Sequence, residues 1–383
     1  MIAYTNYSTD PRVIREAEAA VSAGMDVDFL ALRRQGDPKV EMTRGVRVIH
    51  LSQRRYRGNG LLRYMLSYLE FFCRCFFKIT LLHLKRPYRA IHVNNMPDFL
   101  VFSTVIARLL GARIILDIHD PMPNTFASKF KGGETGLIFK MLLWQELLSA
   151  SYSHRVLTVH DPLKDLVLVK HGLRADSIHV IANFADDQLF PLRSDFRANG
   201  KLTLIFHGTI LERYGLRTLM EALSLVKHRD RMSVRIIGEG DFSGELSRLI
   251  ASLCLGDFVQ FDNRVYPVYE IPRIIADCNL GMVPLEISSI TNYALPLKML
   301  EYISMGLPVV TVRNAAIGYY FSESDCLFYR PHDAESLQEL LDRLASNSDL
   351  LACYHQKSVA MRERFLWSNE KKKYIALLRE LGC

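Results

Sequence analysis

Short runs rich in β-branched and aromatic residues alternate with helical patterns along the whole chain, which restricts it to parallel sheets with helices on both faces. In the first half the runs are Ile2–Asn6, Val27–Leu32, Val46–Leu51, Ala90–Asn94, Arg113–Ile118, Val156–Val159 and His179–Ile181. Pro11–Ala23 reads as the first connecting helix, with Asp10 placed to cap it and Pro11 in its first turn. Asp186–Lys201 is polar, contains proline and has little periodicity, so it reads as a linker. The alternation then restarts with Leu202–Phe206, Val234–Ile237, Phe258–Phe261, Leu280–Pro284, Val309–Val312 and Cys326–Tyr329. The 383 residues have room for two domains of about 150 residues or more. The expected architecture is α/β, with two Rossmann-like doubly wound domains over 1–187 and 188–365. A closing helix in 366–383 is expected to return to the first. Such sheets bind ligands beyond the carboxyl ends of their strands, so two facing units imply a cleft between them.

With 49% hydrophobic and 23% charged residues the chain is neither disordered nor fibrous. Its 48 basic and 41 acidic residues leave a formal charge of +7. That mild excess suits anionic small molecules or an anionic membrane surface. The basic residues do not interleave with aromatics along a groove-like motif, so nucleic acid is not expected as a partner. Cys73, Cys75, Cys254, Cys278, Cys326, Cys353 and Cys383 are widely spaced without a Cys-x-x-Cys pair, which reads as free thiols in the cytosol. The N-terminus opens as a strand rather than as a secretory signal.

Leu61–Leu82 is apolar at 16 of 22 positions, yet Arg63, Glu70, Arg74 and Lys78 interrupt it. Charges at a bilayer centre cost roughly 2.5–3.5 kcal/mol each, which argues against a membrane span. Positions 63, 67, 70, 74 and 78 share one helical face. Basic clusters flank the stretch: Arg54, Arg55 and Arg57 before it, Lys85, Arg86 and Arg89 after it. A helix over 61–84 therefore either lies on an anionic leaflet through 54–89, or packs in the core with one wet stripe.

The richest chemical constellation runs from Tyr293 to Pro308. Pro296 suits a helix start, which places Lys298 in the first turn beside outward-pointing amides. A cation at a helix N-terminus makes a diphosphate site. Glu301, one turn on, could accept hydrogen bonds from the vicinal hydroxyls of a ribose. A capped helix with a surface Lys–Glu pair is the alternative. In Phe206–Leu216, Gly208 permits close approach to the backbone and Arg213 offers a charged fork for phosphate oxygens. Gly238 and Gly240 form either a ligand loop or a tight turn. Asp117-Ile-His119-Asp120 closes a strand in the first half, and His119 could contact a sugar hydroxyl or a developing charge, unless it is structural. Asp26-Val-Asp28 opens a strand, away from the expected site, and no metal is expected to bind there or elsewhere.

On these residues the sequence resembles the family-4 retaining glycosyltransferases of the GT-B fold, of the bacterial surface-polysaccharide type. The resemblance rests on Asp10-Pro-Arg-Val13, His92-Val-Asn-Asn-Met-Pro-Asp98, Leu116–Pro123, Phe206-His-Gly-Thr209 with Glu212-Arg-Tyr-Gly215, and Leu295–Tyr302 with Gly306-Leu-Pro308. It implies a nucleotide-sugar held by the second domain and an acceptor by the first. Glu301 matches the ribose-binding glutamate and His119 the histidine near the transferred sugar. Arg213 and Lys298 match the basic pair on the diphosphate. The implied catalytic residues are therefore His119, Arg213 and Lys298. Donor contacts fall to Gly208, Thr209, Gly238, Gly240, Ala294, Leu295, Pro296, Leu297 and Glu301, and acceptor-side contacts to Asn6, Asp10 and Asn95. Three positions depart from the family pattern: Tyr293 replaces a second glutamate, Thr209 an arginine and Tyr214 a lysine.

The resulting expectation is transfer of a sugar from a nucleoside diphosphate to a hydroxyl with retention. No metal or other cofactor is needed, and the acceptor is a lipid-linked or saccharide precursor. A peripheral, cytoplasmic placement at the inner leaflet goes with it. A nucleotide-sugar epimerase or hydrolase on the same fold, and a non-catalytic nucleotide-sugar-binding subunit, are the alternatives.

Overall fold

The computed structural model describes residues 1–53, 56, 61–127, 136–198, 200–288 and 291–383. Arg54, Arg55 and Arg57, expected to flank the long helix, lie outside the described residues. The chain divides into two compact units, Met1–Asn183 with Asn369–Cys383, and Phe184–Ser368. The first boundary thus falls at 183 rather than 187, and the returning segment starts at 369 rather than 366.

In the first unit the strands are Val27–Leu32 (β1), Val40–Thr43 (β2), Val46–Leu51 (β3), Ala90–Asn94 (β4), Arg113–Ile118 (β5), Arg155–Thr158 (β6) and Ile178–Val180 (β7). They pair as β1-β3-β2 and β4-β5-β6-β7. The N-terminal segment joins the two groups, because Ile2 bridges Leu30 on one side and Val93 on the other, both in parallel. Ile2 N–H donates to the His92 carbonyl at 2.8 Å, and Leu30 N–H to the Met1 carbonyl at 2.9 Å. The expected strand Ile2–Asn6 is therefore reduced to this one bridged residue with ladder bonds on both sides. The winding reverses between it and β4, which is where a doubly wound sheet binds its ligand.

β2 was not expected. It pairs antiparallel with β3 through a two-residue turn in which Arg44 and Gly45 both have positive φ, the geometry of a tight hairpin. Alternate residues of each strand face opposite layers. Leu30, Leu32, Val93, Ile114 and Leu116 pack with Phe71, Cys75 and Ile79 of the Leu61–Lys85 helix. Phe29, Ala31, Val46 and Val48 pack with Val13 and Ala17 of the Pro11–Ser22 helix. Asp10 occupies the position before that helix, but its side chain accepts no cap hydrogen bond. It pairs with Arg12 instead, at 3.1 Å, which corrects the capping expectation.

The second unit contains Leu202–His207 (β8), Met232–Ile237 (β9), Val259–Asp262 (β10), Leu280–Val283 (β11), Val309–Val312 (β12) and Leu327–Tyr329 (β13). Their order is β10-β9-β8-β11-β12-β13, all parallel. Every expected strand is present, with ends moved by a residue or two. The winding reverses between β8 and β11. The Leu297–Ser304 helix is fixed there by Tyr302, whose hydroxyl donates to the Ile205 carbonyl at 3.1 Å and accepts from His207 N–H at 3.2 Å. Position 281 in β11 has to be glycine, because a Cβ there would lie 2.3 Å from the Tyr302 ring.

Candidate active site

The second-unit cluster is built on the loops that leave β8 and β9. Gly208 N–H donates to the Ile237 carbonyl at 2.9 Å, and Ile210 N–H to the Glu239 carbonyl at 3.1 Å. The two loops lie so close that a Cβ on Gly238 would sit 1.8 Å from the Gly208 carbonyl oxygen, and one on Gly240 would sit 2.2 Å from that of Ile210. Gly238 and Gly240 thus hold the two loops together by backbone contact, while Gly208 and Thr209 stay exposed at the rim.

Lys298 reaches into this loop pair from the first turn of its helix. Its Nζ lies 3.6 Å from the centroid of the Phe206 ring and 4.7 Å from that of Tyr214. Although the residue as a whole is partly exposed, Nζ is buried and has no hydrogen-bond partner among the described residues. Burial lowers its pKa to about 7, opposed in part by the charge of Glu301. The exposed Arg213 sends its guanidinium to 5.5 Å from the Tyr214 ring, so both expected cations abut one aromatic side chain. Such contacts hold a cation without neutralising it.

Glu301 is only 7% exposed, and its Oε2 lies 3.2 Å from His207 Nε2. Ala294, Leu295, Pro296 and Leu297, all partly exposed, lead into the helix. The Asn314 amide ties their loop down by donating to the Thr291 and Ala294 carbonyls at 2.7 and 2.8 Å. The first amides of a helix have no acceptor within it, so this end offers N–H groups beside Lys298. Lys298, Arg213, Gly208, Gly238 and Glu301 are therefore brought together.

The first-unit cluster is carried by β4 and β5, with Asp117 near the carboxyl end of β5 and His119 just past it. His119 is 6% exposed, and its Nε2 meets Asp117 Oδ2 at 2.6 Å. The same oxygen receives His92 Nε2 at 3.2 Å. Burial alone would raise the Asp117 pKa, but the charge and hydrogen bonds of His119 and His92 hold it well below the ordinary carboxylate value. Glu16 shows the reverse: burial and the charge of Asp117 push its carboxyl well above that value. Asn95 is fully engaged. Its Nδ2 donates to Asp98 Oδ1 at 3.0 Å and to the Asp120 carbonyl at 2.7 Å, while its Oδ1 accepts from His119 N–H at 3.0 Å. It therefore straps the His119 loop to β4. Asp10 is engaged with Arg12, and Asn6 is half-buried just ahead of the Tyr7–Thr9 turn.

Among the described residues, Glu16, Asp117 and His119 bring their ligand atoms within 4.8 Å of one another. Asp117 and His119 are already hydrogen-bonded to each other, and Arg12 and Arg15 act on Glu16 with positive charge, which opposes a cation there. Arg12, Glu16, His92 and His207 were within reach of sequence reasoning, since they lie in or beside the quoted motifs. Tyr374 was not, because it is one buried aromatic in the last helix.

Residues 10–183 match the family described as a glycosyl transferase 4-like domain, and residues 201–347 match glycosyl transferases group 1. An exopolysaccharide phosphotransferase of Streptomyces coelicolor is 29% identical over 150 residues, which is 39% of this chain and 15% of that protein. Sucrose-phosphate synthase from Thermosynechococcus elongatus superposes with a TM-score of 0.78 at 18% identity, covering 100% of this chain and 98% of that one. HepE of Anabaena, in complex with UDP and glucose, gives 0.73 at 15% identity over 99% and 98% of the two chains. The chain belongs to the family-4-type glycosyltransferases of the GT-B fold.

Proposed function

We propose that the protein moves a sugar from a nucleoside diphosphate to a hydroxyl acceptor, with the anomeric configuration retained and without a metal ion. The observation that carries this reading is Lys298, a buried amine whose Nζ has no hydrogen-bond partner among the described residues, at a helix N-terminus, with Arg213 on the same aromatic ring. A diphosphate supplies the anion that this arrangement lacks. As the sugar leaves, charge grows on the bridging oxygen, and preorganised cations and amides lower that barrier. Glu301, beside His207, accepts from the ribose hydroxyls. Retention follows from the family resemblance, in which the leaving phosphate guides attack on the same face. His119 serves the sugar in the family's pattern. The complex of HepE with UDP and glucose supports the choice of donor class.

The acceptor reading is a lipid-linked or saccharide precursor met at an anionic membrane surface. It is supported by exposed Leu66, Leu69, Phe77, Leu81 and Leu84 on the Leu61–Lys85 helix, with Arg63, Arg74, Lys85, Arg86 and Arg89 exposed on or beside it. Among the described residues no helix is long and apolar enough to cross a membrane.

The test is product formation from a panel of nucleotide-sugars with lipid-linked acceptors. Acceptor-dependent transfer that falls by about 10²–10³ in Lys298→Ala is expected. Donor consumption without acceptor would point to hydrolysis or epimerisation, and binding without turnover to a non-catalytic subunit.

A further inference from the structure

The first-unit cluster contains more buried hydrogen-bonding groups than contact with a sugar requires, and they form a line. Tyr374 Oη lies 2.8 Å from His92 Nδ1, His92 Nε2 lies 3.2 Å from Asp117 Oδ2, and that oxygen lies 2.6 Å from His119 Nε2. All four residues are buried. An ionised carboxylate only accepts hydrogen bonds, so both imidazoles must present N–H at Nε2. Burial lowers the pKa of His92 and keeps that ring neutral, with its lone pair on Nδ1. The Tyr374 hydroxyl is then the donor to it. Every proton in the line is assigned by these roles, and His119 is left with an Nδ1 that has no partner among the described residues.

We propose that Asp117, His92 and Tyr374 are positioning residues that keep the His119 proton on Nε2, so that Nδ1 is an open acceptor for a sugar or acceptor hydroxyl. A buried carboxylate on one imidazole nitrogen is a general means of fixing the tautomer and steadying the charged ring. The inference rests on the reading of His119 as the sugar-side histidine, and it adds the atom that makes the contact. It also makes the last helix part of the site, because Tyr374 stands at the far end of the line. Other charged groups act on the cluster: Asp10 from the loop before the first helix, Arg12, Arg15 and Glu16 from that helix, and Asp120 beyond β5.

Histidine-selective nitrogen NMR of the full-length chain tests this without substrate, with the His119 signals assigned through His119→Gln. The wild type is expected to show the Nε2–H tautomer. Asp117→Asn removes the charge that holds the ring, and the His119 signals should then show a mixture of the two tautomers. Tyr374→Phe keeps the aromatic ring and removes only the hydroxyl. His92 Nδ1 then loses its donor, His92 donates less well to Asp117, and the Nε2 signals of both histidines should move. An Nδ1–H tautomer in the wild type, or His119 signals left unmoved by Tyr374→Phe, overturns the inference. If Asp117→Asn does not fold, the Tyr374→Phe arm decides. In the transfer assay both variants should lower kcat with the donor KM little changed. Tautomers as expected in a protein without transfer activity would count against the proposed function alone.

Discussion

Under the proposed function, Lys298 couples a ligand to protons through a single side chain. Its ordinary pKa of 10.5 is lowered to about 7 by burial. Between these values the unfolded chain holds more protons than the folded one, so this group makes the unliganded protein more stable as pH rises from about 7 towards 10.5. A diphosphate beside Nζ favours the charged form. Binding of UDP near pH 8.5 should therefore take up close to one proton, seen as a calorimetric enthalpy that depends on the buffer's ionisation heat. Lys298→Met should abolish that dependence. A second expectation concerns Gly238, where a Cβ would lie 1.8 Å from a backbone oxygen at φ +144°. Gly238→Ala should cost at least about 3 kcal/mol in a denaturant titration, since two loops must part. Lys298, Glu301 and His119 could be singled out from the sequence because each stands at a strand end or helix start, where a doubly wound sheet gathers its ligand. The partners of His119 could not: Tyr374 is 282 residues from His92, and no local pattern records that hydrogen bond.

Elements were legible where periodicity is strong and hidden where turn chemistry is unusual. β2 follows a polar stretch and is half exposed, and its hairpin uses Arg44 at a left-handed position where Asn or Asp would have signalled the turn. The Leu61–Lys85 helix packs in the core, one of the two outcomes that the sequence left open, and is apolar on a second side as well. Tyr68, Phe71, Cys75 and Ile79 enter the core, while Leu66, Leu69, Phe77, Leu81 and Leu84 stay exposed. The Leu137–Tyr152 helix adds Met141, Trp144 and Leu148. Both helices flank the Asp98–Thr104 turns, through contacts of Phe72 with Phe99 and of Phe102 with Tyr152. Flotation should recover the protein with anionic vesicles and much less with neutral ones. Phe77→Ser and Trp144→Ser should each lower recovery by about tenfold in partition, the worth of one large apolar side chain withdrawn from water. Equal background recovery with both lipids would contradict the docking surface.

At the scale of the whole molecule, the proposed function uses only cations that the chain supplies itself, and on that proposal transfer measured in EDTA should equal that in added Mg²⁺. The division into units yields a different expectation. Tyr374, Leu377 and Leu378 are buried, and Glu370 accepts Ala182 N–H at 2.8 Å, all within the first unit. Three such apolar side chains contribute roughly 1.5–3 kcal/mol each, against a typical domain stability of about 5–15 kcal/mol. A chain stopped after Ser368 should therefore lose the calorimetric transition of the first unit and keep that of the second. The two-unit organisation was readable from the restart of the strand pattern at Leu202. The exact return point was not, because Trp367–Glu380 is one unbroken helix across it. That discontinuity also sets an order of birth. On the ribosome, Phe184–Ser368 is complete before residues 369–383 exist, so the nascent first unit waits with part of its interior open to water and to chaperones until its neighbour has been made.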